Sequence, residues 1–285
     1  MHAAPSVIVF TVLSGMGFGF LACLGAGAVE GAGFWAWGLG YGLAVAGLVA
    51  SSFHLGNPQR ALLAFTQWRT SWLSREAALS VAALTVLAPM ALSDWLGLGL
   101  PRGVGMLGAV LAVASVTATA MIYARIRAVP RWHHWVTPVL FLSFAMTGGL
   151  ILSGHARVAA MACLALVVVL RMAFRLGDGQ FARAGQTMGT ATGLAGEVTV
   201  FEWPHTGDNY LLREMIHVVG RRHAERLRLI AVLMAGLVPA MVLLLVPGVA
   251  GISMAALAHL AGAIAARWLF FAEAEHVVGL YYGRR

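Results

Sequence analysis

Residues 51 to 65 read SSFHLGNPQRALLAF, and residues 71 to 79 read SWLSREAAL. The first stretch gathers His54, Asn57 and Arg60, and the second Arg75 and Glu76, in a chain that is otherwise one apolar run after another. A histidine exchanges protons near neutral pH, and a carboxylate within reach can recharge it. A histidine and a glutamate beside an asparagine and an arginine therefore have the composition of a proton-handling site. Each residue also has a plainer reading. His54 could simply rest in the headgroup layer, and Glu76 could favour the positive end of a helix capped by Ser74. Position is what pairs them: His54 ends one apolar segment and Glu76 opens the next, so the loop between them brings both helix ends back to one level.

The elements that must position these residues are membrane helices. The 285 residues are 60% hydrophobic and 11% charged, with a mean hydropathy of +0.83, whereas soluble domains carry roughly 25% charged residues. The net charge of +8 does not mark a nucleic-acid binder, because all nineteen cations are arginine in short scattered groups and no soluble basic face exists to carry them. A hydrocarbon core needs about 20 apolar residues per helix. Such stretches occur eight times, over 5–28, 33–54, 76–95, 103–123, 133–153, 157–174, 229–247 and 251–271. The N-terminal segment lacks a basic start and runs too long for a signal core, so it is read as a permanent span. The expected fold is all-α: one polytopic transmembrane domain over 1–285, a bundle of about eight helices.

Short and long connections alternate along the chain. The long ones, 55–75 and 175–228, share a side with both termini and with fifteen of the nineteen arginines. By the positive-inside rule that side is cytoplasmic, which places both termini in the cytoplasm and the protein in a bacterial inner membrane. Glycine-rich stretches such as GMGFGFLACLGAG (15–27) are read as close helix packing. Pro89, Pro138 and Pro239 fall inside spans and are expected to kink them.

Other polar residues carry less. Glu30 lies in a short outer turn, and His133 and His134 follow RIRAVPRW at an interface that anchors such residues. His259 lies near mid-span in MAALAHLAGAIAARW. A haem ligand there would want a second histidine at the same depth, and none is apparent, so a hydrogen bond to a neighbouring helix is the better reading. Cys23 and Cys163 lie in apolar segments and can build neither a disulfide framework nor an iron–sulfur cluster. No metal site is expected in this chain.

Quinone chemistry fits a His54–Glu76 site at the membrane surface. A lipid-dissolved head group receiving two electrons from a nearby centre needs two protons from water, and a histidine can bond its carbonyl and deliver one. Asn57, Arg60 and Arg75 fall at the rim of such a pocket or at a partner interface.

FHLGNPQRA, SWLSREAAL and IYARIRAVPRWHHWVTP, in that order and at similar spacing, resemble the membrane anchor subunit of the dimethyl sulfoxide reductase family (DmsC type) over nearly the whole chain. The resemblance implies a three-subunit molybdoenzyme: a molybdopterin catalytic subunit, a ferredoxin-like subunit with four iron–sulfur clusters of the 4Fe–4S type, and this anchor exchanging electrons with the quinone pool, ubiquinone or menaquinone. In that family the histidine of the HLG motif and a glutamate at the start of the next span are implicated in quinol binding, and they match His54 and Glu76. The long loop FEWPHTGDNYLLREMIHVVGRRHAERLRL and the tail RWLFFAEAEHVVGLYYGRR are more similar to the anchor of the membrane-bound sulfite-oxidising enzyme (SoeC type). That likeness implies sulfite oxidation on the cytoplasmic face.

Partner docking is expected on the arginine-rich face, at Arg125, Arg127 and Arg131 and at Arg213, Arg221 and Arg222, with loop 175–228 as the platform. Three rival readings remain. One is a quinol-oxidising dimethyl sulfoxide reductase-type anchor. Another is a transporter, which would want charged or broken helices at the midplane and an internal repeat. The third is a haem-bearing quinol oxidase-type anchor.

Overall fold

An apolar chain in hydrocarbon must satisfy its backbone within each segment, which leaves the helix as the solution. The computed structural model describes residues 4–29, 31–53, 57–202, 207 and 223–282. Among these residues the regular structure is helical. In chain order it comprises α1 (Pro5–Gly25), α2 (Phe34–Ser52), a 3-10 helix (Pro58–Phe65), α3 (Trp72–Leu96), α4 (Arg102–Ala124), α5 (Val136–Leu152) and α6 (Ala156–Asp178). The short α7 (Gln180–Arg183) and α8 (Met188–Thr192) follow, then α9 (Ala224–Val232), a π turn (Leu233–Leu237), α10 (Val238–Leu245), α11 (Gly248–Ala272) and a closing 3-10 turn (Val277–Tyr282). Seven helices are long and apolar enough to cross a membrane, counting Ala224–Leu245 as one, and α5 adds a shorter apolar helix of 17 residues. Each of the eight expected segments overlaps one of these helices.

α1 is the centre of the bundle, buried over most of its circumference. It can be surrounded because its glycines admit backbone. A Cβ at Gly17 would sit 2.3 Å from the Ala44 nitrogen of α2, and one at Gly19 would sit 1.9 Å from the Ala145 carbonyl oxygen of α5. Gly47 of α2 and Gly149 of α5 return the contact, with Cβ positions 2.4 Å from Ser14 N and 2.3 Å from Gly19 C. At the far end Gly25 and Gly105 meet, linking α1 to α4. The glycines are packing devices, as expected where no hydrophobic drive separates helix from lipid.

The connections sort to two ends. At one, Trp37 Nε1 donates to Asp94 (3.2 Å), Asp94 pairs with Arg102 (3.6 Å), and His155 bonds the Ala28 carbonyl. These contacts gather the short turns after α1, α3 and α5. At the other, Val277 N donates to Ala128 O (2.9 Å), Trp132 Nε1 to Phe270 O (2.8 Å) and Tyr281 Oη to Ala191 O (2.8 Å). This second, arginine-rich end thus ties the 125–135 connection to the C-terminal segment and the α6–α9 connection.

Three expectations need correction. The third helix starts at Trp72 rather than 76, and its N-cap is Ser71, which accepts from Ser74 N at 3.4 Å; Ser74 is inside the helix and its hydroxyl donates to Ala64 O. Glu76 is accordingly one turn in, beyond the first turn. Pro138 lies in the first turn of α5, where a missing N–H costs no helical bond, so it marks a start and not a kink. Pro239 does disturb its span, beside the π turn at Leu233–Leu237. A proline at 239 cannot donate to the carbonyl four residues back, at Ala235, and that oxygen accepts from His259 Nδ1 at 2.8 Å. The helix-to-helix bond expected of His259 is therefore present, and its acceptor is a carbonyl to which Pro239 cannot donate.

The α1 contacts generate a stability prediction. Gly19→Ala should destabilise the bundle by about 1–3 kcal/mol, the usual cost of overpacking, and Gly19→Leu should prevent recovery of folded protein. Gly38→Ala, whose Cβ would meet nothing within 4 Å, should be neutral. Thermal unfolding of the purified protein in detergent measures all three.

Candidate functional site

The approach to Glu76 is built by its neighbours. Ser71 caps α3, Ser74 bonds back to the 3-10 helix at Ala64, and Arg75 folds over the loop, donating from Nε to Trp68 O (2.9 Å) and from Nη2 to Arg69 O (2.6 Å). The Arg75 guanidinium also lies 4.3 Å from the Trp72 ring centroid. Arg75 therefore holds the loop in place. One residue on, about 100° around the helix, Glu76 points into the bundle and is only 4% exposed.

A carboxyl group buried in a membrane bundle needs a partner, and Thr119 of α4 supplies it by donating its hydroxyl to Glu76 Oε1. The Thr119 hydroxyl also lies 3.1 Å from Ser115 O, and one turn deeper Ser80 and Ser115 share a hydrogen bond of 2.7 Å, so α3 and α4 are joined by a polar ladder. At 1.5 Å per residue, Glu76 is about 6 Å from the start of α3, Thr119 about 8 Å from the end of α4, and Arg267 about 8 Å from the end of α11. They share one layer near the arginine-rich end. Arg267 is 5% exposed, with its guanidinium 3.6 Å from the centroid of Phe141 and 5.4 Å from that of Phe270. Tyr123 lies within electrostatic reach of both Arg267 and Glu76, its ring packed among Trp132, Phe141, Phe270 and Phe271.

A cavity of about 20 Å³ opens beside α1 from this layer, lined by Thr119, Arg267 and His259 together with Thr11 and Ser14. His259 is 2% exposed and about 20 Å from the end of α11 at 1.5 Å per residue. The bundle thus carries a graded set of buried polar groups, from Glu76 near the surface to His259 near mid-span.

The sequence-predicted residues distribute unevenly. His54 lies outside the described residues, as does Glu30. Asn57 precedes the 3-10 helix and is exposed, and so is Arg60. Leu62, Leu63, Phe65 and Trp68 are exposed beside them, so this segment presents both charge and apolar surface at the arginine-rich end. α2 and α3 are joined in their other half, by Trp37 to Asp94 and by Tyr41 Oη to Leu84 O (2.6 Å).

Of the docking arginines, Arg125 and Arg127 are exposed, and Arg213, Arg221 and Arg222 lie outside the described residues. Arg131 behaves differently. It pairs with Asp178 (3.2 Å) and Glu273, while Arg228 pairs with the same two carboxylates, at 2.6 Å to Glu273 and also to Asp178. This four-residue cluster clamps the 125–135 connection, the end of α6, the start of α9 and the end of α11. Arg131 is thus committed within the chain. Its neighbours His133 and His134 are local as well: His133 Nδ1 meets Ala124 O at 2.7 Å, and His134 Nδ1 accepts from Val136 N at 3.2 Å.

Sequence reasoning missed Thr119, Tyr123 and the cluster of Arg228, Glu273 and Asp178. It gave Arg267 no role. An arginine in AARWLF was a visible signal that something polar faces it, but which helix does so was not.

Residues 6–283 match the family model described as the DMSO reductase anchor subunit, DmsC. The chain belongs to this anchor-subunit family. A sulfite dehydrogenase subunit from Allochromatium vinosum is 30% identical over 322 aligned positions that cover 99% of each chain. No solved structure matches. A DmsC-type subunit is the membrane anchor of a molybdopterin oxidoreductase complex, which implies catalytic and iron–sulfur partner subunits. The helical bundle and the family agree on a multi-pass membrane protein. Within this DmsC-type anchor, Cys23 and Cys163 are both buried inside spans, and no cluster of His, Cys, Asp or Glu suited to a metal occurs among the described residues.

The ion cluster yields the prediction of this section. Glu273→Gln leaves Arg131 and Arg228 facing each other across a weakened acceptor and should lower stability by roughly 1–3 kcal/mol. Combined with Arg131→Met, which removes one of the two facing cations, the loss should be less than additive. Thermal unfolding of the three variants tests this.

Proposed function

We propose that this chain is the quinone-reactive anchor of a three-subunit molybdoenzyme that oxidises sulfite. Electrons leave sulfite in the molybdopterin subunit (sulfite and water give sulfate, two protons and two electrons), pass through the iron–sulfur subunit and reduce a quinone, ubiquinone or menaquinone, with two protons. The anchor holds the quinone head group at the arginine-rich end, between the His54 end of the second apolar segment and the start of α3. The observation that carries this reading is the buried Glu76 carboxyl group, one turn inside a membrane helix and held by Thr119. A carboxyl group in hydrocarbon is costly and marks function. This one is near enough to the aqueous end to exchange protons.

His54 donates to a quinone carbonyl and Glu76 restores its proton. Asn57 and Arg60 form the rim, and Arg75 keeps the 66–71 loop in place over the site. Arg125 and Arg127, with Arg213, Arg221 and Arg222 of the long connection, meet the iron–sulfur subunit. The arginine excess orients this end, both termini and the partners to the cytoplasm of a bacterial inner membrane. The sulfite assignment follows the name of the relative with 99% coverage. A second reading, a respiratory reductase oxidising quinol, follows the description of the family model.

In the assembled complex, Glu76→Gln and His54→Ala should each lower quinone turnover by about 10²-fold, the usual contribution of general acid–base catalysis, while partner subunits still copurify. Unchanged turnover with intact assembly would remove the site. Copurification separates the two substrate readings: a molybdopterin partner without an export signal is expected, and a twin-arginine signal on it would reverse the assigned orientation and favour the reductase.

A further inference from the structure

The polar groups around the cavity beside α1 do not satisfy one another. Arg267 Nε and Nη1 are buried with no hydrogen-bond acceptor among the described residues. Phe141 and Phe270 meet the face of the guanidinium, but its N–H bonds lie in the plane and ring stacking leaves them unmet. The hydroxyls lining the same cavity have the opposite need. Thr11 donates to Val7 O (2.9 Å), Ser14 to Phe10 O (2.6 Å) and Thr119 to Glu76. Their protons are engaged, so they offer lone pairs alone.

One wall of the cavity therefore holds unmet donors and the others hold acceptors. The occupant must accept from Arg267 and donate to hydroxyl oxygens. It must also fit about 20 Å³, whereas a water needs roughly 10–15 Å³ of such space and two to four polar partners. An anion would satisfy Arg267 but face three sets of lone pairs, and a quinone ring exceeds the volume.

We propose that the cavity binds a structural water that joins Arg267 to Thr119 and through it to Glu76, which makes Arg267 a positioning residue for the buried carboxyl group. The water accepts from Nε–H or Nη1–H and donates to Thr119 Oγ1 and to Ser14 or Thr11. It thereby ties α11, α4 and α1 together at the layer where α3 presents Glu76. Thr119 is the pivot, since its single proton goes to the carboxylate and its lone pairs receive the water. This linkage stands whether or not the ligand at the membrane surface is a quinone.

The test is an experimental map of the intact complex in nanodiscs at a resolution that shows ordered water. A peak within hydrogen-bonding distance of Arg267 Nε or Nη1 and of Thr119 Oγ1 is expected. Absence of a peak, or an Arg267 side chain turned to a protein acceptor, overturns the proposal. Thr119→Ser should keep the peak and the thermal midpoint, and Thr119→Val should lose the peak. Retention of an unchanged peak in Thr119→Val overturns the link. Thr119→Val and Arg267→Met should also lower the midpoint by less together than the sum of their separate effects, and additive losses overturn it. If Arg267→Met does not assemble, the Thr119 pair of maps decides alone. Loss of quinone turnover is a separate readout, because the water is seen in the map irrespective of activity.

Discussion

The bundle depends on backbone touching backbone along α1. In lipid there is little hydrophobic gain in bringing one apolar helix against another, so dispersion contacts at short range must hold them. Gly17, Gly19 and Gly25 of α1 meet α2, α5 and α4 in turn, and Gly47, Gly149 and Gly105 answer from the other side. Because three helices can close on α1 at once, α4 and α5 stand near enough for side chains of α3 and α11 to reach a shared interior layer. A wider spacing would leave Glu76, Thr119 and Arg267 in lipid rather than in protein.

Burial then sets the second constraint, that each polar group within the bundle finds its match inside it. The clearest instance joins two residues 24 positions apart, since Pro239 cannot donate to Ala235 O and His259 takes that oxygen. The serine and threonine hydroxyls mostly bond backbone of their own helix, as Thr11 and Ser14 do, while Thr119, Ser80 and Ser115 bond between helices. The α3–α4 seam is thus joined side chain to side chain, whereas Thr147 of α5 and Tyr41 of α2 reach backbone carbonyls of the neighbouring helices. The seam also gives Glu76 a fixed orientation, because its oxygen is held from a helix that is itself packed on α1.

At the arginine-rich end the cations do two different jobs. Arg131 and Arg228 are joined to Asp178 and Glu273 and hold connections together, whereas Arg125 and Arg127 are exposed. A count of arginines sees one face. The carboxylates that neutralise part of it come from residues 178 and 273, far apart in the chain and brought together only by packing. Arg75 shows the same division, since its guanidinium serves the loop backbone although it neighbours the buried glutamate.

Sequence alone determined that this chain is an all-helical, multi-pass membrane protein built on apolar segments, that glycines of its first span serve packing, that His259 bonds a neighbouring helix and that it resembles the DmsC-type anchors, because these follow from composition, local periodicity and contiguous motifs. It also singled out Glu76, though at the wrong depth: the choice between Ser71 and Ser74 as cap rests on which hydroxyl the loop leaves free, and Ala64 takes that of Ser74. Only the tertiary structure decided that Glu76 bonds Thr119, that Arg267 shares its layer and that Arg131 is clamped. Those pairings join residues 43, 191 and 142 positions apart, and a helix's own sequence specifies which residues face inward together but not which face of another helix they meet.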